Sequence, residues 1–252
     1  MPNKEPIRCF EGTAKPHERF WSFRDATEET EAELELYGYI SEYSWFEDDI
    51  TPAMFKKDLE KHGNGNPIIV RINSYGGDVI AASLMRTMLM EYPGKVTVQI
   101  DGIAASAATV VALGGDLVRI QDTAYFMIHD PLVTFFYASL NIEDLNQLVT
   151  QLSAIKAGIV NAYEGKTGLS RDKLSKLMSA ETWMDANEAK AKGFVDEVIT
   201  GSEKKAALPQ NAAIINALRN YINVPAELLK QEPDIETKQA VERLRAEAKL
   251  LI

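Results

Sequence analysis

PIIVRINSYGGDVIAASLMRTMLMEY, residues 67–92, decides how this chain folds. It begins with a compact apolar run, Pro67 to Asn73, is interrupted by Ser74-Tyr75-Gly76-Gly77-Asp78, and continues with apolar residues at helical spacing from Val79. The run suits a strand, the glycines a turn and the remainder a helix. The same order then returns. Val96, Val98 and Ile100 alternate with Thr97 and Gln99, Gly102 breaks the strand, and small apolar residues run helically to Gly114-Gly115. Successive strand-turn-helix units predict an α/β domain.

The pattern extends both ways. Upstream, Leu34, Leu36 and Ile40 share an alternating face, and Thr51-Pro52 places an N-cap before proline at a first helical position. Downstream, LVRIQ and AYFMIH read as short strands. Asn141 can cap a long amphipathic helix with Leu145, Leu148, Leu152, Ile155 and Ile159 on one stripe, stopped by Gly165 and Gly168. Ser170 can cap the next helix, and Asp185-x-x-Glu188 is a capping box for a third, closed by Gly193 before the strand-like FVDEVI. Residues 1–30 are polar and aperiodic and read as an N-terminal arm. The domain spans 31–201. Residues 202–252, polar and helix-prone with breaks at Pro209, Pro225 and Pro233, read as a helical C-terminal extension.

The chain has 252 residues, 46% hydrophobic and 25% charged, which excludes disorder as its main state. Cys9 is the single cysteine and makes no intrachain disulfide, so a cytoplasmic protein is expected. A formal charge of -10 opposes nucleic acid as a partner. No stretch reaches the roughly 20 apolar residues of a membrane helix, and the N-terminus lacks a signal-peptide core. HExxH, CxxC and EF-hand patterns are missing, so no metal and no cofactor is expected. Gly165-Lys166-Thr167 lacks the earlier glycine of a phosphate loop and reads as a helix stop.

Three histidines limit the choice of a general base near pH 7. His17 lies in the polar arm. His62, in KHGNG, ends a helix, where a cation faces the helix dipole favourably. His129 ends the apolar strand YFMIHDP, and strand ends are where α/β enzymes carry reactive groups. Ser106, in DGIAASAATVV, follows a strand and opens a helix of very small residues. There its Oγ is rigidly held, and the N–H of Ala107 can face a carbonyl oxygen under attack. A plain helix cap explains Ser106 equally well when it is taken alone. Gly76-Gly77 opens the neighbouring helix and can supply a second oxyanion donor, although a turn is its commoner meaning. Nucleophile, base and oxyanion donors can thus share one rim.

INSYGGDV, DGIAASAA, FMIHDP and ETWMDANEAKAKGFVDEV together resemble the Clp protease proteolytic subunit family, the ClpP-like serine peptidases. The resemblance covers about residues 34–200. YEGKTGLS and ETWMDANEA make it more similar to the ClpP-related head-maturation proteases of tailed phages than to the housekeeping enzyme. It implies Ser106 as nucleophile, His129 as base, and the N–H groups of Gly77 and Ala107 as oxyanion donors. The family's acid falls on Glu181, where aspartate is usual. Asp185 is the rival acid, with a strong alternative role as an N-cap.

The resemblance further implies a crotonase-like fold of repeated ββα units, with the helix from Ile142 to Tyr163 protruding as a handle between stacked heptameric rings. Peptidase activity on a polypeptide substrate without cofactor is implied, with either a hexameric AAA+ unfoldase or a phage capsid or scaffold protein as partner. The prohead is the alternative location to the cytoplasm. Two rival functions stand beside this one: a catalytically silent scaffold in which Glu181 fails to complete the triad, and a crotonase-like acyl-CoA enzyme sharing the paired glycines.

Overall fold

The computed structural model describes residues 21–26, 30–40, 52–134, 139–200 and 224. Residues 1–20 with Cys9 and His17, the Thr51 cap, and the C-terminal extension apart from Val224 lie outside the described residues.

The alternation read from the sequence sets the architecture. β2 (Ala32–Ile40), β3 (Ile68–Gly77), β4 (Val96–Ala105) and β5 (Leu117–Gln121) run parallel, linked by α1 (Pro52–Gly63), α2 (Val79–Met90) and α3 (Ala107–Ala112). In register, Leu34 stands beside Val70, Val70 beside Val98, and Val98 beside Val118. These rows are buried in one core with Phe55 and Leu59 of α1, Met85 and Leu89 of α2, and all of α3. Burying each such aliphatic side chain contributes about 1.5–3 kcal/mol, so period-two patterning commits the strands to this face. α3 is buried throughout, which explains a helix made of Ala, Thr and Val.

The opposite face of the sheet is polar. Asp101 accepts from Arg71 Nε and Nη2, both at 2.8 Å, from Gln99 Nε2 at 2.8 Å and from Tyr37 Oη at 2.7 Å, joining three strands. Burial and the neighbouring Asp101 carboxylate push the Tyr37 phenol well above its ordinary range.

Three differences from the sequence expectation bear on the site. β1 (Trp21–Arg24), inside the stretch read as a polar arm, pairs antiparallel with β2, and Trp21 packs edge-on against Phe55 at 5.4 Å. β3 does not stop at Asn73: it runs through Gly76 (φ 95°) and Gly77 (φ 140°) because Tyr39 and Ile40 of β2 continue to pair with them. β4 likewise runs past Gly102 to Ala105. It changes partners there, leaving β5 after Ile100 and taking up β6 (Tyr125–Ile128) from Ile103.

That change of partner creates a second, small layer. β6 pairs antiparallel with β7 (Thr182–Asp185), while β8 (Glu197–Ile199) returns beside β5. Between β6 and β7 lie α4 (Ile142–Thr167) and α5 (Arg171–Ser179), and α6 (Ala186–Ala191) follows β7. α4 has 26 residues, about 39 Å. Asn141 and Asp144 close its capping box, and Gly165 stays within its last turn, so Gly168 in the left-handed region is the stop. Only Val160 and Tyr163 of α4 are buried, so most of the helix projects from the domain.

Candidate active site

Ser106 is the corner between β4 and α3. Its N–H donates to Met127 O of β6 at 2.9 Å, and its backbone sits at φ 54°, ψ −125°, a region that costs a non-glycine residue on the order of 1–3 kcal/mol. Its carbonyl accepts from Thr109 N at 3.0 Å and Thr109 Oγ1 at 2.5 Å. Thr109 Oγ1 also meets Tyr163 Oη of α4 at 2.6 Å. Three elements therefore hold the corner in place. The Ser106 side chain makes no capping bond to α3, which sets aside the plain-cap alternative. Its Oγ lies 2.6 Å from His129 Nε2.

Glycine is required beside this corner. A methyl group at Gly76 would stand 2.7 Å from Ala105 O, 2.9 Å from Ala107 N and 2.9 Å from Ser106 Cβ. One at Gly77 would stand 2.0 Å from Ile40 O. Gly76 thus packs directly against the Ser106-Ala107 corner, while Gly77 packs against the β2 backbone at Ile40.

His129 follows β6. Phe126 and Ile128 face the main core, while Tyr125 and Met127 lie on the other face in a second apolar cluster with Tyr75, Ile103, Ala105, Trp183 and Val224. His129 continues that second face. Burial pushes its imidazole below the ordinary 6.5, against the upward pull of the Glu181 and Asp130 carboxylates. A base that is neutral near pH 7 follows.

Glu181 and Asp185 stand at opposite ends of β7. The β6–β7 register ends at the pair Ile128–Thr182, His129 and Glu181 are the residues just beyond it on each strand, and the Glu181 carboxylate acts on the imidazole electrostatically; Trp183 Nε1 donates to Glu181 Oε1 at 3.2 Å. Asp185 pairs instead with Tyr125, four residues back along β6 from His129, and its carboxylate accepts from Glu188 N at 2.8 Å as the cap of α6. His62 lies elsewhere, stacked on Phe23 and 2.5 Å from Asp25. Asp130, adjacent to His129 and acting on it electrostatically, escaped the sequence reading because HDP reads as a strand stop. Among the described residues, no group of three or more His, Cys, Asp or Glu side chains is placed to hold a metal ion. None of the described helices is long and apolar enough to cross a membrane.

Comparison with known proteins agrees with this arrangement of elements. The sequence pattern of the Clp protease family matches residues 46–202. The ATP-dependent Clp protease proteolytic subunit 1 of Chlamydia muridarum is 32% identical over 143 residues, 56% of this chain and 74% of that protein. Proteolytic subunit 2 of Borreliella burgdorferi is 30% identical over 135 residues, covering 53% and 67%. Among solved structures, a ClpP1 variant from Listeria monocytogenes superposes with a TM-score of 0.55 at 23% identity, over 68% of this chain and 92% of that one.

Proposed function

This chain belongs to the Clp protease family, and from that premise we propose that it is a serine endopeptidase whose domain, residues 31–201, carries the triad Ser106, His129 and Glu181. The observation that carries the reading is the 2.6 Å contact between Ser106 Oγ and His129 Nε2 at a strained backbone corner. His129 Nε2 takes the hydroxyl proton as Ser106 Oγ attacks the peptide carbonyl. Glu181 steadies the imidazolium electrostatically. The N–H groups of Gly77 and Ala107 receive the developing oxyanion. His129 then returns the proton to the leaving amine, and water attacks the acyl-enzyme by the same route.

The assembly proposed is a homo-oligomeric ring, stacked through the projecting α4. The setting proposed is phage head maturation, acting on capsid or scaffold protein inside a prohead. It is supported by the YEGKTGLS and ETWMDANEA segments. Degradation of a folded protein only on adding a hexameric AAA+ unfoldase and ATP would instead assign the Clp-type role.

Intact-mass labelling with a fluorophosphonate tests the chemistry. One adduct is expected on the wild type, none on Ser106→Ala, and much slower labelling on Glu181→Ala. An unlabelled, correctly assembled wild type would favour the silent scaffold.

A further inference from the structure

Asp130 is a second carboxylate beside His129, and an imidazole that must be oriented by Glu181 cannot also be captured by Asp130. The structure engages both Asp130 oxygens elsewhere. Lys156 Nζ of α4 pairs with Asp130 Oδ1 at 2.7 Å, and Ser179 Oγ at the end of α5 donates to Asp130 Oδ2 at 2.8 Å. Lys156 Nζ also donates to Ser179 Oγ at 3.0 Å, closing a triangle. Asp130 is the residue after His129, and Ser179 stands two before Glu181. The triangle therefore joins the two chain segments that carry base and acid, and the projecting helix supplies its cation.

Resting on the triad reading above, we propose that Lys156 is a positioning residue that acts through Asp130: it holds this carboxylate off the imidazole and offsets its charge, leaving Glu181 as the partner of His129. Among the described residues, the charges acting on His129 are Glu181, before β7, and Asp130, after β6, with Lys156 of α4 on the far side of Asp130. Removing the lysine charge leaves Asp130 uncompensated and stabilises imidazolium. Removing the Asp130 charge does the reverse. The effect is moderate because Asp130 is partly in water.

The test is an NMR titration of the imidazole C–H resonances in the full assembled chain, with His129 identified by its loss in His129→Gln. Lys156→Met moves the His129 midpoint to higher pH, Asp130→Asn moves it to lower pH, and Lys156→Arg keeps it at the wild-type position. Fluorophosphonate labelling of Lys156→Met at pH 6 slows by roughly two- to threefold, recovering at pH 8. A merely structural triangle would slow both variants at every pH without opposite shifts. Midpoints that stay put, or move the same way in both, overturn the proposal. The titration needs no activity, so a wild type that takes up no label would sink the peptidase reading while leaving this result to be read by itself.

Discussion

Glu181 acts electrostatically on His129 from a position where the chain would favour glycine. The β6–β7 ladder runs from Tyr125–Asp185 to Ile128–Thr182, and these two residues follow directly beyond its last pair. The backbone of Glu181 has φ 47°, just past the Ala180 cap of α5, and its N–H donates to Met178 O at 3.0 Å. That is the left-handed position of a Schellman-type helix end, with the Thr182 hydroxyl on Leu177 O at 2.6 Å in place of the second backbone bond. A charged residue held there against its conformational preference marks a site where geometry matters more than stability.

Replacement of Glu181 therefore separates the two demands. Glu181→Gly is expected to be more stable than Glu181→Ala by about 1 kcal/mol, the reverse of their order inside a helix, because only alanine is strained at this φ. Urea denaturation of the two variants measures the difference. Both should label slowly with fluorophosphonate. Glu181→Gln, which keeps the shape and loses the charge, should fall by between about a hundredfold and ten-thousandfold. Equal stability of the glycine and alanine variants would contradict the strained backbone.

The acid limb of the rate follows from the burial of His129. The imidazole must be neutral to accept the Ser106 proton, and burial lowers its folded-state value below 6.5. The labelling rate should rise with pH through a midpoint below 6.5 and be flat by pH 8. Stability has the same sign. With its folded value depressed, the group contributes stability above the unfolded value, and this is lost as pH falls through the folded one. A rate midpoint above 6.5 would mean that the carboxylates outweigh burial.

Most of the sheet was legible because the compact apolar run Pro67–Asn73 and the alternation in Val96–Ile100 both match strands that pack against one buried face. The strand ends were less legible. Gly76 breaks the composition of a strand without ending it, since Tyr39 continues the ladder beside it, and Gly102 marks where β4 exchanges β5 for β6 rather than where it stops. Ser106 and His129 stood out as residues at the ends of strands. The links from Asp130 to Lys156 and Ser179 did not: they join positions 26 and 49 residues apart through side chains that, in sequence, look like ordinary surface polars. β1 was hidden for a similar reason, because four residues with only Trp21 buried leave little periodicity to read.

Gly76 and Gly158 should respond to alanine in opposite directions. At Gly76, φ is 95° and the added methyl would meet Ala105 O, Ala107 N and the Ser106 side chain. A loss of about 1–3 kcal/mol and of nearly all labelling is expected. At Gly158, inside α4, nothing lies within 4 Å of the new Cβ. Gly158→Ala should gain about 0.5–1 kcal/mol from helix propensity and leave labelling unchanged. Thermal denaturation followed by circular dichroism decides both. A Gly76→Ala protein as stable and as reactive as the wild type would refute the close approach of the two backbone corners.

The projecting part of α4 carries the proposed contact between rings. Ile142 is 78% exposed, Leu145 49% and Val149 63%, while Leu148 and Leu152 are half-buried. Leu145 and Val149 are four residues apart on one face of the helix, where a charge would remain solvated in a single ring but would be buried unpaired in a stacked pair. Leu145→Glu with Val149→Glu should thus leave the fold intact by circular dichroism and halve the particle mass by light scattering. Leu148→Glu with Leu152→Glu should halve it as well. Its half-buried positions cost some stability too, so the first pair is the cleaner probe. An unchanged mass for both pairs would place the ring contact away from this helix, and a mass already equal to one ring in the wild type would remove stacking from the proposed assembly.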